Sequence, residues 1–283
     1  MTQDLANKTF IVTGANTGIG KITALELARR GARVICACRS PDKAQPVIDE
    51  IKRTTGNDQV ELVTLDLGDL ASVRRCAEQL LARDIPIHGL INNAGLAGQR
   101  GTTKDGFEIQ FGTNHLGPYL FTRLLLDRIK ASGPARIVNV ASASHYSAKA
   151  IDWDALRRPT RTRTAMHEYS VSKLSNVLFT KELARRLEGS KVTTYALHPG
   201  VVATDVWRRV PRPVRWVMKK FMVTPEQGAQ TSLRCATAPE LAEQTGRYYD
   251  RDGREKAPNQ LADDPALARE LWAKSAEWTG LSA

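Results

Sequence analysis

No run of uncharged apolar residues in this 283-residue chain approaches the ~20 that a bilayer-crossing helix needs. Residues 1–8 are polar and lead straight into a predicted strand, so no signal peptide is expected. Cysteine is scarce: Cys36, Cys38, Cys76 and Cys235 form no C-x-x-C pair. Cys36 and Cys38 sit two apart in a predicted strand, a spacing that suits neither a disulfide nor a pair of zinc ligands. Buried reduced thiols and a cytoplasmic location are therefore expected. The chain also lacks internal repeats and low-complexity tracts. A nucleotide-hydrolase P-loop is missing too, because the stretch ending in Gly20-Lys21 would need glycine at Ala15 and a hydroxyl at Ile22.

What remains is an ordinary globular balance, 42% hydrophobic and 25% charged, of a length that one α/β sheet with appendages can use. The net charge of +11, with a pI near 9.7, raises nucleic acid or an anionic membrane as partners. The positive residues are spread over predicted helix faces, so no nucleic-acid partner is expected. The exception is 207–221, where Trp, Val, Met and Phe alternate with Arg and Lys. This stretch reads as part of a lid at 203–223 over a lipophilic pocket, and peripheral membrane contact is the competing reading.

Short β-branched runs alternate with amphipathic stretches. Strands are predicted at 8–13, 33–38, 60–65, 87–91, 135–141, 192–197 and 246–249, and the longest helices at 107–130 and 169–187. Such alternation predicts an α/β fold, a doubly wound parallel sheet with helices on both faces. Its ligand crevice lies at the carboxyl ends of the strands.

The motifs fall at those ends. Gly14-Ala15-Asn16-Thr17-Gly18-Ile19-Gly20 joins the first strand to the first helix, the context in which backbone N–H groups hold a pyrophosphate. The glycines are expected to keep Cβ atoms away from those phosphates. A plain turn with no ligand is the alternative. At the end of the second strand stands Cys38 rather than an aspartate, then Arg39, with Lys43 in the next helix. That combination favours NADP(H) over NAD, since a guanidinium can grip the 2′-phosphate; Arg39 could equally cap a loop. Asp66-Leu67 closes the third strand and suits the adenine amine or a helix cap. Asn92-Asn93-Ala94-Gly95 closes the fourth, to line the ribose and brace the sheet. Asn114 is an unusual helix-interior residue, whereas His115 reads as packing. Ser142, with Ser144 nearby, ends the fifth strand and can donate to a substrate oxygen. Pro199-Gly200 and Val202 turn the chain over the nicotinamide end, where Thr204 can bond the carboxamide.

Tyr169 and Lys173 lie four apart on one face of their helix. A phenol titrates near ~10, so acid/base work near neutrality asks for a shift worth about 4 kcal/mol. An ammonium at about 4 Å supplies that much at an effective dielectric near 20. The pair alone is common on helices, and its weight comes from the other motifs.

With Gly14/Gly18/Gly20, Asp66, Asn92 to Gly95, Asn114, Ser142, Tyr169/Lys173 and Pro199-Gly200 in order, the chain resembles the short-chain dehydrogenase/reductase family over nearly its whole length. It looks closest to the retinol dehydrogenase branch, through residues 13–21, 37–39, 114–118 and 224–229. Two departures stand out: no hydrophobic segment leads the chain, and Ala141 occupies a common serine position beside Ser142. The resemblance implies a single Rossmann-type domain over 1–283 and an Asn114-Ser142-Tyr169-Lys173 tetrad. In it Tyr169 moves a proton, Ser142 holds the substrate oxygen, Lys173 binds the ribose and lowers the phenol pKa, and Asn114 positions a water. It implies a cofactor site that includes Asn16, Thr17, Ile19, Ala94, Tyr169 and Lys173, no metal, and a homodimer or homotetramer paired through the Tyr169 helix. The expected activity is NADP(H)-dependent hydride transfer to or from a lipophilic alcohol or carbonyl, retinal-, steroid- or polyketide-like. A redox-neutral epimerase and a non-catalytic NADP(H) sensor or scaffold are the alternatives.

Overall fold

A computed structural model describes residues 3–201 and 223–283. Its strands are β1 (Thr9–Thr13), β2 (Arg33–Cys38), β3 (Val60–Thr64), β4 (Gly89–Asn92), β5 (Ala135–Val140), β6 (Val192–Leu197) and β7 (Arg247–Tyr249). They form one seven-stranded sheet in the order β3-β2-β1-β4-β5-β6-β7, with every pairing parallel. The strands read as continuous apolar runs because the sheet is covered on both faces. Phe10, Val12, Val34, Cys36, Val138, Tyr195 and Leu197 face one side. Ile11, Ile35, Ala37, Leu90 and Ile137 face the other, as a two-residue period dictates.

On the first face lie α1 (Gly18–Arg29), α2 (Pro41–Thr55) and α7 (Pro225–Thr237). On the second lie α3 (Leu70–Leu81), α5 (Gly117–Ala131) and α6 (Met166–Arg186). The predicted 107–130 helix is composite: a single turn, α4 (Ile109–Phe111), then a π-helical turn over Gly112–Leu116, then α5. The C-terminal helix α8 (Pro265–Thr279) lies outside α6 and α5. Its Trp272 stacks on Phe179 at 5.9 Å and meets Tyr119 edge-on at 5.2 Å. Residues 169–180 of α6 are consequently all buried within one chain.

All four cysteines are free and buried. Val202, Thr204 and 207–221, and with them nearly all of the expected lid, lie outside the described residues.

Candidate active site

The strand order reverses between β1 and β4, and a crevice opens there at the carboxyl ends. The turn after β1 has Gly14 and Gly18 at positive φ, 67° and 53°. Helix α1 then starts with no side-chain cap and no acidic residue in its first turn. Its first N–H groups and its positive dipole end therefore suit an anion. The need for glycine differs from the expectation at Gly20. A Cβ there would lie 2.4 Å from the Gly14 carbonyl oxygen and 2.5 Å from Asn93 Nδ2, so the protein's own atoms exclude it before any phosphate would. Asn93 fastens this turn to the end of β4 by donating to the Thr13 carbonyl at 2.8 Å. Thr13 Oγ1 in turn accepts the N–H groups of Asn93 and Ala94 at 3.0 and 2.9 Å.

A cleft of about 400 Å³ runs from this turn across the strand ends. It is lined by Gly14, Asn16, Thr17, Gly18, Ile19 and Gly20, then Arg39, then Asp66 and Leu67, then Asn93, Ala94 and Gly95. It ends among Ser142, Tyr169, Lys173, Pro199 and Gly200. Sequence motifs spread over nearly two hundred positions are thus brought to one surface. Lys43 is not among the lining residues and stands exposed on α2. Asp66 accepts the Gly68 N–H at 3.0 Å, and the helix-cap role falls to Asp69, which accepts from Ser72. Asn92 braces the sheet, donating to Thr122 and to Asn139.

Leu96 and Gln99 also line the cleft but stood out in no motif, because isolated residues on irregular segments carry no periodic signal.

At the far end, Lys173 is buried and donates to the Val140 carbonyl at 2.8 Å. Its Nζ lies 5.7 Å from the centre of the Tyr169 ring. Gly95 makes room for it, since a Cβ there would sit 3.4 Å from Nζ and 3.2 Å from Asn114 Oδ1. Asn114 lies behind the cleft, 2% exposed, within the π-helical turn, a distortion often found at functional sites. Its amide grips Leu96 from both sides, accepting the N–H at 2.8 Å and donating to the carbonyl at 2.9 Å. The remaining N–H reaches Ser172 Oγ at 3.0 Å. The side chain is therefore a fastener between the β4 loop and α6.

Ser142 opens a short 3₁₀ turn and accepts the Ser144 N–H at 3.2 Å. Behind it stands His145, fully buried. Its Nδ1 is 2.7 Å from the Ser142 carbonyl and its Nε2 accepts the Asn259 N–H at 3.1 Å. A carbonyl can only accept, so Nδ1 carries the proton. Burial holds the imidazole below its ordinary pKa, which keeps this neutral tautomer. His115 is buried against Phe111, Tyr119 and Phe179, a packing role.

The electrostatics differ from the expected trade between phenol and ammonium. Burial pushes the Tyr169 phenol above its ordinary value, and the hydrogen bond from Ser142 pulls it only partly back. The same burial pushes Lys173 down to about 8. One low-dielectric pocket disfavours both charges, and burial is the larger influence on the phenol. It stays protonated through neutrality.

Residues 8–151 match the short chain dehydrogenase family. The chain belongs to the short-chain dehydrogenase/reductase family and is an NAD(P)(H)-dependent oxidoreductase acting on the CH–OH/C=O pair. Among curated relatives it is 46% identical to retinol dehydrogenase 13 of Homo sapiens, over 99% of this chain and 86% of that protein. It is also 46% identical to retinol dehydrogenase 11 of Homo sapiens, over 99% and 88%. Among solved structures, an uncharacterized protein from Mycobacterium Paratuberculosis superposes with a TM-score of 0.79 at 35% identity, over 100% of this chain and 98% of that one.

Proposed function

We propose that this protein is an NADP(H)-dependent reductase of lipophilic aldehydes or ketones, with a retinoid-type carbonyl as the representative substrate. The observation that carries the reading is the meeting of the Tyr169 phenol, the Ser142 hydroxyl and the Lys173 ammonium in one cleft with an uncapped helix N-terminus. The substrate class rests on the retinol dehydrogenases that the chain resembles along 99% of its length and on Leu96 and Val201, which give the cleft apolar lining. The preference for NADP(H) rests on Arg39, which lines the cleft where an acidic residue would repel a 2′-phosphate.

Bound in the cleft, the nicotinamide ring supplies or accepts the hydride. Ser142 donates a hydrogen bond to the substrate oxygen, and Tyr169 gives that oxygen its proton as charge develops on it. A phenol kept protonated by burial is in the form that carbonyl reduction needs. Lys173, fixed on Val140, has further N–H groups to offer the ribose. Asn114 holds Leu96 and Ser172 in place around them. The test is NADPH oxidation with retinal and a panel of hydrophobic aldehydes. Tyr169→Phe is expected to lower turnover about 10²- to 10⁴-fold while NADPH still binds. Unchanged turnover in that variant would sink the assignment.

A further inference from the structure

Gln110 lies one helical turn before Asn114, fully buried, and no catalytic or binding motif includes it. Its amide is used at both ends. Oε1 accepts the Gly98 N–H at 3.0 Å, and Nε2 donates to the Ala165 carbonyl at 2.6 Å. These two partners belong to neighbouring segments beside the cleft, where a Cβ on Gly98 would lie 3.9 Å from the Thr164 carbonyl oxygen. Gly98 precedes Gln99, a lining residue, and Ala165 is the last residue before α6.

The Ala165 carbonyl has a second duty. It accepts the Tyr169 N–H at 3.1 Å, the first backbone bond of the helix that carries the phenol. The start of α6 carries an unfavourable backbone conformation. Ala165 adopts φ 58°, ψ 14°, and as N-cap offers no side-chain bond, leaving the Met166 N–H a long bond of 3.5 Å to Thr164 Oγ1; an L-residue with a Cβ avoids this left-handed region. Glu168, in that turn, ties it to the preceding segment by accepting from the Arg161 and Thr162 N–H groups and the Thr162 hydroxyl, but touches neither Ala165 nor its carbonyl. The buried amide of Gln110 is thus a side chain that bonds the very carbonyl on which the Tyr169 turn hangs.

The arrangement repeats that of Asn114, which ties Leu96 to Ser172. Two carboxamides four residues apart, flanking the start of the π-helical turn, each join the loop after β4 to α6. Between them they fasten that loop to the helix at two points.

We infer that Gln110 is a positioning residue, which holds the first turn of α6, and with it the Tyr169 hydroxyl, at the height that proton transfer to a bound substrate requires. The inference rests on the reading of Tyr169 as the proton donor, and its test includes a readout that does not.

Replacing Gln110 by Met keeps the length and removes both bonds. Gln110→Met is expected to lower kcat about 10- to 100-fold, the scale of a misplacement near 1 Å, with NADPH affinity unchanged because Gln110 does not line the cleft. Hydrogen exchange over 164–172 is expected to quicken about tenfold, as for one lost buried hydrogen bond, while 177–183 stays protected. Gln110→Glu separates positioning from packing. A carboxylate cannot donate to the Ala165 carbonyl, but a protonated carboxyl can. The ratio of its kcat to that of the parent enzyme should therefore climb as pH falls from about 8 to about 6, because burial raises a carboxyl pKa.

Parental kcat together with parental exchange over 164–172 in Gln110→Met overturns the inference. So does a Gln110→Glu ratio that is flat with pH, and this profile decides alone should the Met variant not fold. If Tyr169→Phe were fully active, the exchange result would still report on the anchor.

Discussion

Lys173 offers a stability measurement that probes the site without turnover. The residue is 4% exposed, and burial moves its pKa from 10.5 to about 8. A depression of that size corresponds to about 3 kcal/mol that the folded state gives up at pH 7 to keep this group charged. The sign follows from proton counts. Between pH 8 and 10.5 the unfolded chain binds the proton and the folded one has released it, so this group's contribution to stability rises with pH and the penalty fades. At pH 9 about 2 kcal/mol of it remains.

Lys173→Met removes the charge, keeps a chain of similar length and gives up the bond to the Val140 carbonyl, to which Asn176 Nδ2 also points at 3.4 Å. Allowing about 1 kcal/mol for that bond, the variant should be more stable than the parent by about 1–2 kcal/mol at pH 7. That lead should shrink by about 1 kcal/mol at pH 9. Urea titrations of both proteins at the two pH values give the difference directly. Turnover should be lost in the same variant, the trade-off expected when an active site is built against stability. A stability difference that does not change between pH 7 and pH 9 would refute the picture of a destabilising buried ammonium.

Arg39→Ala should weaken NADPH binding about 10- to 100-fold, the worth of a charge-assisted bond to phosphate, and leave NADH binding unchanged. Equal effects on both dinucleotides in a fluorescence titration would remove the case for NADP(H). Gly20→Ala should destabilise the protein by about 1–3 kcal/mol through overpacking, because its Cβ meets the Gly14 carbonyl at 2.4 Å; thermal unfolding without cofactor checks it.

The layered α/β architecture was legible in the sequence because each strand is a short apolar run covered on both faces, each followed by turn residues and a helix. The glycine turn and the placement of Tyr169 and Lys173 on one helical face were legible for the same reason, as consequences of local geometry with fixed periods. That Asp66, Asn93, Ser142 and Pro199 would share one cleft followed from their positions at strand ends once the strands were parallel. Asn114 could be singled out as an odd helix residue, but its partners Leu96 and Ser172 could not be read from the chain.

The remaining features depend on what packs against what. Gln110 reaches Ala165 across 55 positions, and His145 reaches Asn259 across 114; no spacing rule connects such pairs. Only the fold set the C-terminal helix on α6, where Trp272 stacks on Phe179. The burial that raises the Tyr169 pKa is invisible in the sequence for the same reason. Counting one ammonium against one phenol ignores the dielectric around them, and desolvation is a property of the assembled pocket. Local periodicity is written residue by residue along the chain, whereas burial exists only once distant segments have closed over a group.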